Sequence, residues 1–138
     1  MDSKSGLVIQ FTGIFLVTIL SFFLRRSFKT KASNHWLIAW SSLSCALFCL
    51  SLAFSYEQIS KPLYFVYFFG EYVFGITLIA GCRILAENPK PLNKFIFAPF
   101  AGLALFLAWQ VTDFNLFFNF HALLLATFFV AAFFSLRS

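Results

Sequence analysis

Residues 62–86 read PLYFVYFFGEYVFGITLIAGCRILA, an apolar run with a single acid, Glu71, and a single base, Arg83. The hydrocarbon core of a bilayer is crossed by about 20 apolar residues in helical form. A helix on the surface of a soluble protein would show a polar stripe recurring about every 3.6 residues, and this run has none. It therefore predicts a transmembrane helix.

Two more apolar stretches precede this run, and two follow it. Of the 138 residues, 61% are hydrophobic, 11% are charged and 23 are Phe, whereas about a quarter of a soluble domain is charged. The sequence predicts an all-α integral membrane bundle that forms one domain over residues 1–138. Its five transmembrane helices are expected at about 6–24, 36–54, 62–86, 95–112 and 114–136.

The basic residues predict the orientation of these helices. Eight of the ten Lys and Arg residues fall at helix ends that share one side of the membrane. Those eight are Arg25, Arg26, Lys29, Lys31, Arg83, Lys90, Lys94 and Arg137, against Lys4 and Lys61 on the other side. Because positive flanks stay in the cytoplasm, the N-terminus is expected outside and the C-terminus in the cytoplasm. The predicted location is the bacterial inner membrane, which the chain crosses several times.

Glu71 is the first candidate functional residue. It lies nine residues into the predicted third helix, about 13 Å below the outer surface at about 1.5 Å per residue. An ionised carboxylate near the bilayer centre costs about 2.5–3.5 kcal/mol on insertion scales, so it should face the bundle interior, be protonated or have a partner. Tyr67 and Gly75 share its face. Glu71 is either a carboxylate that contacts a ligand or senses protons, or a neutral group that holds two helices together through a hydrogen bond.

His121 is the second candidate. It lies about 11 Å below the same surface in the predicted fifth helix, so it can meet Glu71 if the third and fifth helices touch. A competing face points roughly 130° away at about 100° per residue; it consists of Asn115, Asn119, Ala122 and Ala126. Only one of these two faces can be central. The candidate site residues are thus Glu71, His121 and Tyr67.

The remaining features predict packing rather than chemistry. Small residues recur every four positions in three sets, which suit close helix contacts: Ser41, Cys45 and Cys49; Ala98 and Gly102; Ala104 and Ala108. The sequence holds no catalytic motif, and no metal or cofactor is expected. The net charge of +5 is assigned to helix ends that meet anionic lipid, not to nucleic acid.

One part of the chain resembles a known family. The stretches His35–Trp40 (HWLIAW), Tyr64–Tyr72 and Ala80–Arg83 resemble the N-terminal membrane sensor regions of bacterial GGDEF-type diguanylate cyclases and of some sensor histidine kinases. The resemblance covers about residues 25–87. It implies a membrane region that controls a cytoplasmic domain, which in the cyclases makes cyclic di-GMP. This sequence contains no GGDEF motif, so cyclase activity requires a GGDEF domain after residue 138.

The leading functional prediction is therefore a signal-input module of a longer signalling protein, acting as a homodimer on a cytoplasmic output domain. Two other functions stay open. A small proton-coupled transporter or carrier subunit also uses a carboxylate buried in the membrane. A structural partner in a membrane complex would use Glu71 only for packing.

Overall fold

The computed structural model of the protein describes residues 3–87, 92–110 and 114–137. This part of the chain is all-α and contains no strand. The five helices are α1 (Ser3–Phe28), α2 (Lys31–Ser55), α3 (Ser60–Leu85), α4 (Phe97–Gln110) and α5 (Phe114–Arg137). Single 3₁₀ turns at Glu57–Ile59 and Lys94–Ile96 lead into α3 and α4.

The turn between α1 and α2 is shorter than predicted. Both helices extend into polar sequence, and only Lys29 and Thr30 separate them. Lys29 has a φ of 37°, and the Thr30 hydroxyl caps α2 by accepting a hydrogen bond from the backbone N–H of Ser33 at 3.2 Å. Arg25 and Arg26 occupy the last turn of α1, where cations suit the negative end of the helix dipole.

The last two helices, α4 and α5, agree more closely with the predicted bounds than α1 and α2 do. α4 has 14 residues, about 21 Å at about 1.5 Å per residue, and begins two residues later than expected. Pro99 lies in its first turn, where the missing N–H costs no helical hydrogen bond. The expected end of this helix, at residue 112, lies outside the described residues. α5 ends at Arg137, one residue later than predicted.

Four of the described helices, α1, α2, α3 and α5, are long and apolar enough to cross a membrane, while the apolar helix Lys94–Gln110 is shorter. Exposed apolar side chains cover much of the surface, including Phe28, Phe106 and Leu116. Soluble proteins rarely expose such continuous apolar area. The structure is therefore that of a helical bundle suited to an apolar surrounding.

α3 is the central helix. Among the described residues, it packs against α2, α4 and α5, whereas α1 packs against α2 alone. In the most apolar stretch of α3, 61% of the residues are buried, compared with 6% in α1 and 11% in α5. Groups in the middle of α3 are therefore the most enclosed groups of the bundle.

The α2–α3 contact is built on small residues. A Cβ placed on Gly70 would lie 2.7 Å from Cβ of Ala46 and 3.2 Å from the backbone oxygen of Ser42. The Ser42 hydroxyl donates a hydrogen bond to the backbone oxygen of Gly70 at 3.0 Å. Because Gly70 has no side chain, the two backbones approach closely enough for this bond.

The predicted packing stripe of α2 is wrong. Ser41 and Cys45 are exposed and Cys49 is half-buried. The buried face of α2 is formed instead by Ala39, Leu43, Ala46, Leu47, Leu50 and Ala53. When almost every residue of a helix is apolar, spacing alone does not tell which face turns inward. The same holds on α4, where Ala104 and Ala108 are buried while Ala98 and Gly102 are exposed.

Candidate functional site

Glu71 lies at the midpoint of the central helix. It is eleven residues after Ser60, the first residue of α3, which corresponds to about 17 Å along the axis. The predicted depth was smaller because the helix begins two residues earlier than expected. The side chain is 1% exposed, so the expectation that Glu71 faces the bundle interior is met.

The Glu71 carboxyl interacts through a side-chain hydrogen bond with the Tyr67 hydroxyl, one helical turn earlier. Tyr67 is itself 1% exposed. No hydrogen-bond donor among the described residues reaches Oε2 of Glu71. A buried polar atom without a partner costs about 1–3 kcal/mol. Native structures keep few such atoms, and those they keep call for an explanation.

His121 on α5 is fully buried and binds Tyr72 of α3. Its Nε2 and the Tyr72 hydroxyl share a hydrogen bond of 3.0 Å. The imidazole ring packs against Phe68, with ring centroids 4.4 Å apart. The Tyr72 ring also contacts Phe100 of α4, with centroids 5.3 Å apart. Tyr72 therefore joins α3, α4 and α5 at the position next to Glu71.

Glu71 and His121 do not contact each other as an acid–imidazole pair. The structure shows no hydrogen bond or ion pair between the two side chains, and Nε2 of His121 is bonded to Tyr72 instead. Tyr72 is the neighbour of Glu71 in the chain but was not among the candidates. Nothing in the sequence links Tyr72 to a residue 49 positions away.

The face of α5 that turns inward is the face of His121. The competing polar stripe points outward, since Asn119, Ala122 and Ala126 are exposed; the side chain of Asn115 lies outside the described residues. One turn below Glu71, the Phe128 ring of α5 lies directly over Gly75. The missing side chain of Gly75 therefore lets α5 come close to α3 at this point.

Tyr67, Glu71, Tyr72 and His121 together are called the Glu71 cluster. It holds one acid, one imidazole and two phenols in an apolar enclosure, without an exposed nucleophile. In the described part of the chain, no three His, Cys, Asp or Glu side chains come together as metal ligands. The cluster can exchange hydrogen-bond partners and protons. Because Tyr72 and His121 belong to different helices, such an exchange changes how α3 is held to α5.

A second contact, between α2 and α3, involves residues on which the family resemblance rests. A Cβ on Gly81 would lie 2.6 Å from Nε1 of Trp36 and 3.2 Å from Cβ of His35. The aromatic start of α2 and the small residue near the end of α3 therefore fit against each other. Cys82, next to Gly81, is buried at the same place. This end of the bundle is a packing contact between α2 and α3.

Comparison of the chain with models of protein families, with curated proteins and with solved structures finds no match in any of the three.

Proposed function

We propose that the chain is a membrane-embedded signal-input module, in which a change at the Glu71 cluster alters the packing of α3 against α5. In this proposal five helices cross the inner membrane of a bacterium, with the N-terminus outside. α5 then leads into the cytoplasm, where it acts on an output domain such as a diguanylate cyclase, within a homodimer.

The buried carboxyl of Glu71 carries this proposal. It sits at the centre of the most enclosed helix, and its Oε2 has no hydrogen-bond donor among the described residues. An arrangement that leaves this atom unsatisfied is one that a second arrangement, or a bound stimulus, can improve. A stimulus shifts a two-state equilibrium only through different affinities for the two states. The unpaired oxygen provides one place where that difference can arise.

The link from Glu71 to the cytoplasm runs through its chain neighbour. Tyr72 follows Glu71 on α3 and is bonded to His121 of α5. α5 has only 11% of its apolar stretch buried, and elements with few buried contacts rearrange at low cost. A rotation of α3 that gives Glu71 a new partner would therefore move Tyr72 and α5 with it.

The transporter reading has less support from the geometry. A carrier exposes its central carboxylate to one side of the membrane at some stage, because the substrate has to reach it. In this structure Glu71 is 1% exposed, and the other members of the Glu71 cluster are buried as well. If Glu71 only held helices together, both of its carboxyl oxygens should be hydrogen-bonded. The Oε2 atom, which has no partner among the described residues, does not fit that role.

The test is a comparison of Glu71→Gln with Glu57→Gln in a fusion that places a diguanylate cyclase domain after residue 138. Both variants make the same chemical change, but Glu57 is exposed in the turn before α3. Cellular cyclic di-GMP should change in Glu71→Gln and stay at the wild-type level in Glu57→Gln. Equal output from all three proteins at equal membrane abundance would rule the proposal out.

A further inference from the structure

A cationic cleft lies at the turn between α1 and α2, far along the chain from the Glu71 cluster. It has a volume of about 360 Å³ and is lined by Phe22, Arg25, Arg26, Lys29 and Asn34. Binding clefts for small molecules span about 300–1,000 Å³, so this one has room for a headgroup. The proposed function does not use it.

Within the described part of the chain, the three cations of the cleft have no acidic partner. The structure describes three of the five acids of the chain, namely Glu57, Glu71 and Glu87. It shows no ion pair between any of these and the cations of the cleft. Like charges gathered in one cleft repel each other, and an anion held between them relieves that repulsion. The arrangement therefore fits a negatively charged ligand.

The backbone of the turn brings the cations of α1 next to α2. Lys29 adopts a left-handed conformation, with a φ of 37°, which non-glycine residues seldom take. This conformation lets α2 start with only Lys29 and Thr30 between the two helices, so the basic end of α1 faces the N-terminus of α2. The N-terminus of α2 carries a positive partial charge and the C-terminus of α1 a negative one, so the two helix ends offset each other and the three formal charges set the preference for an anion.

The apolar neighbours of the cleft show what kind of anion it takes. Phe22 lines the cleft, and Phe23 and Phe28 on the same part of α1 are 57% and 67% exposed. Phe28 lies beyond both arginines, toward the turn, so apolar surface flanks the cations on both sides. A free anion offers nothing to these rings, whereas an amphiphile places its phosphate on the cations and its chains along the phenylalanines.

We infer that this cleft binds the phosphate group of an anionic phospholipid, with Arg25 and Arg26 as its principal contacts. An arginine guanidinium can hold two phosphate oxygens at once, and basic pockets between membrane helices are suited to lipid headgroups. Lys29 and Asn34 complete the cleft from the turn and from α2. The site differs from the general attraction of basic helix ends to a membrane, since it belongs to one defined place.

The test counts lipids that stay on the purified chain in native mass spectrometry, after exchange into detergent with phosphatidylglycerol or phosphatidylcholine. The comparison uses wild type, the double variant R25Q/R26Q and the control R83Q/K94Q. The control removes two charges from exposed residues on the same predicted side, outside the cleft. Orthophosphate is added in a separate arm.

The wild type and R83Q/K94Q should retain phosphatidylglycerol in preference to phosphatidylcholine. R25Q/R26Q should bind phosphatidylglycerol about thirtyfold more weakly, at about fivefold for each charge near the membrane surface. Equal retention of both lipids by the wild type, or equal losses in the two double variants, would overturn the inference. Displacement of the lipid by millimolar orthophosphate would also overturn it, because free phosphate would then be the ligand.

Discussion

Replacing Gly70 with Ala tests the α2–α3 contact on which the position of Glu71 depends. The new Cβ would lie 2.7 Å from Cβ of Ala46, while ordinary contact begins at 3.4 Å, so the helices must separate locally by at least 0.7 Å. The new Cβ would also lie 3.2 Å from the backbone oxygen of Ser42. Neither this oxygen nor Cβ of Ala46 is the end of a flexible side chain that could move away. Separation also stretches the 3.0 Å bond from the Ser42 hydroxyl to Gly70.

The expected loss of stability in Gly70→Ala is measured relative to a control glycine, Gly102. Overpacking a tight contact costs about 1–3 kcal/mol, and Gly→Ala in a helix returns up to about 1 kcal/mol of helix propensity. At Gly102 of α4 a Cβ would meet nothing within 4 Å, so Gly102→Ala shows the propensity gain alone. Gly70→Ala should thus be less stable than Gly102→Ala by about 1–3 kcal/mol.

The assay is reversible unfolding of the purified chain in mixed micelles of mild detergent and sodium dodecyl sulfate, followed by circular dichroism. The unfolding midpoint should be lower for Gly70→Ala than for the wild type and should stay or rise for Gly102→Ala. The same midpoint for both variants would refute the close approach of α2 and α3 at Gly70, and with it the enclosure of Glu71 described above.

Three further predictions concern individual contacts. Tyr72→Phe removes the bond to His121 and should lower stability by about 0.6 kcal/mol, the mean for hydrogen bonds between membrane helices, and by at most about 1.7 kcal/mol, while Tyr56→Phe at an exposed position should not; equal unfolding midpoints would contradict this. Thr18 bonds to Ser44 at 2.7 Å and to the backbone oxygen of Trp40 at 3.0 Å, so Thr18→Val should weaken the α1–α2 contact by about 1 kcal/mol; Thr12→Val serves as the control because Thr12 bonds only within α1. An apolar carbene reagent dissolved in the bilayer should label peptides that contain exposed Cys45 and spare buried Cys82, and labelling of Cys82 would place α3 at the surface.

The sequence predicts the helices of this fold better than their contacts. Five apolar runs become five helices, four of them long enough to cross a membrane, because a backbone in an apolar surrounding has to satisfy its hydrogen bonds within the helix. The ends are less certain. Arg25 and Lys31 mark where apolar sequence stops, yet the helices continue through both residues, since polar side chains are compatible with helix outside the apolar layer.

The position of Glu71 could be predicted, whereas its neighbours could be predicted only in part. The cost of burying a carboxylate points to the bundle interior, and helical spacing places Tyr67 beside it. Tyr72 was missed because the pairing of α3 with α5 brings together residues that are distant in sequence. The outward direction of Ser41 and Cys45 was missed because a helix that is apolar all round carries no mark of its buried face.

The most direct test of the account is labelling from one side of the membrane in intact cells, with a maleimide that cannot cross the bilayer. Single-cysteine variants Glu57→Cys and Lys94→Cys are made in a chain whose three native cysteines are replaced by Ala. We predict that residue 57 reacts in intact cells and that residue 94 reacts only after the membrane is opened. Reaction of both residues from the same side would contradict a central α3 that carries Glu71 across the bilayer.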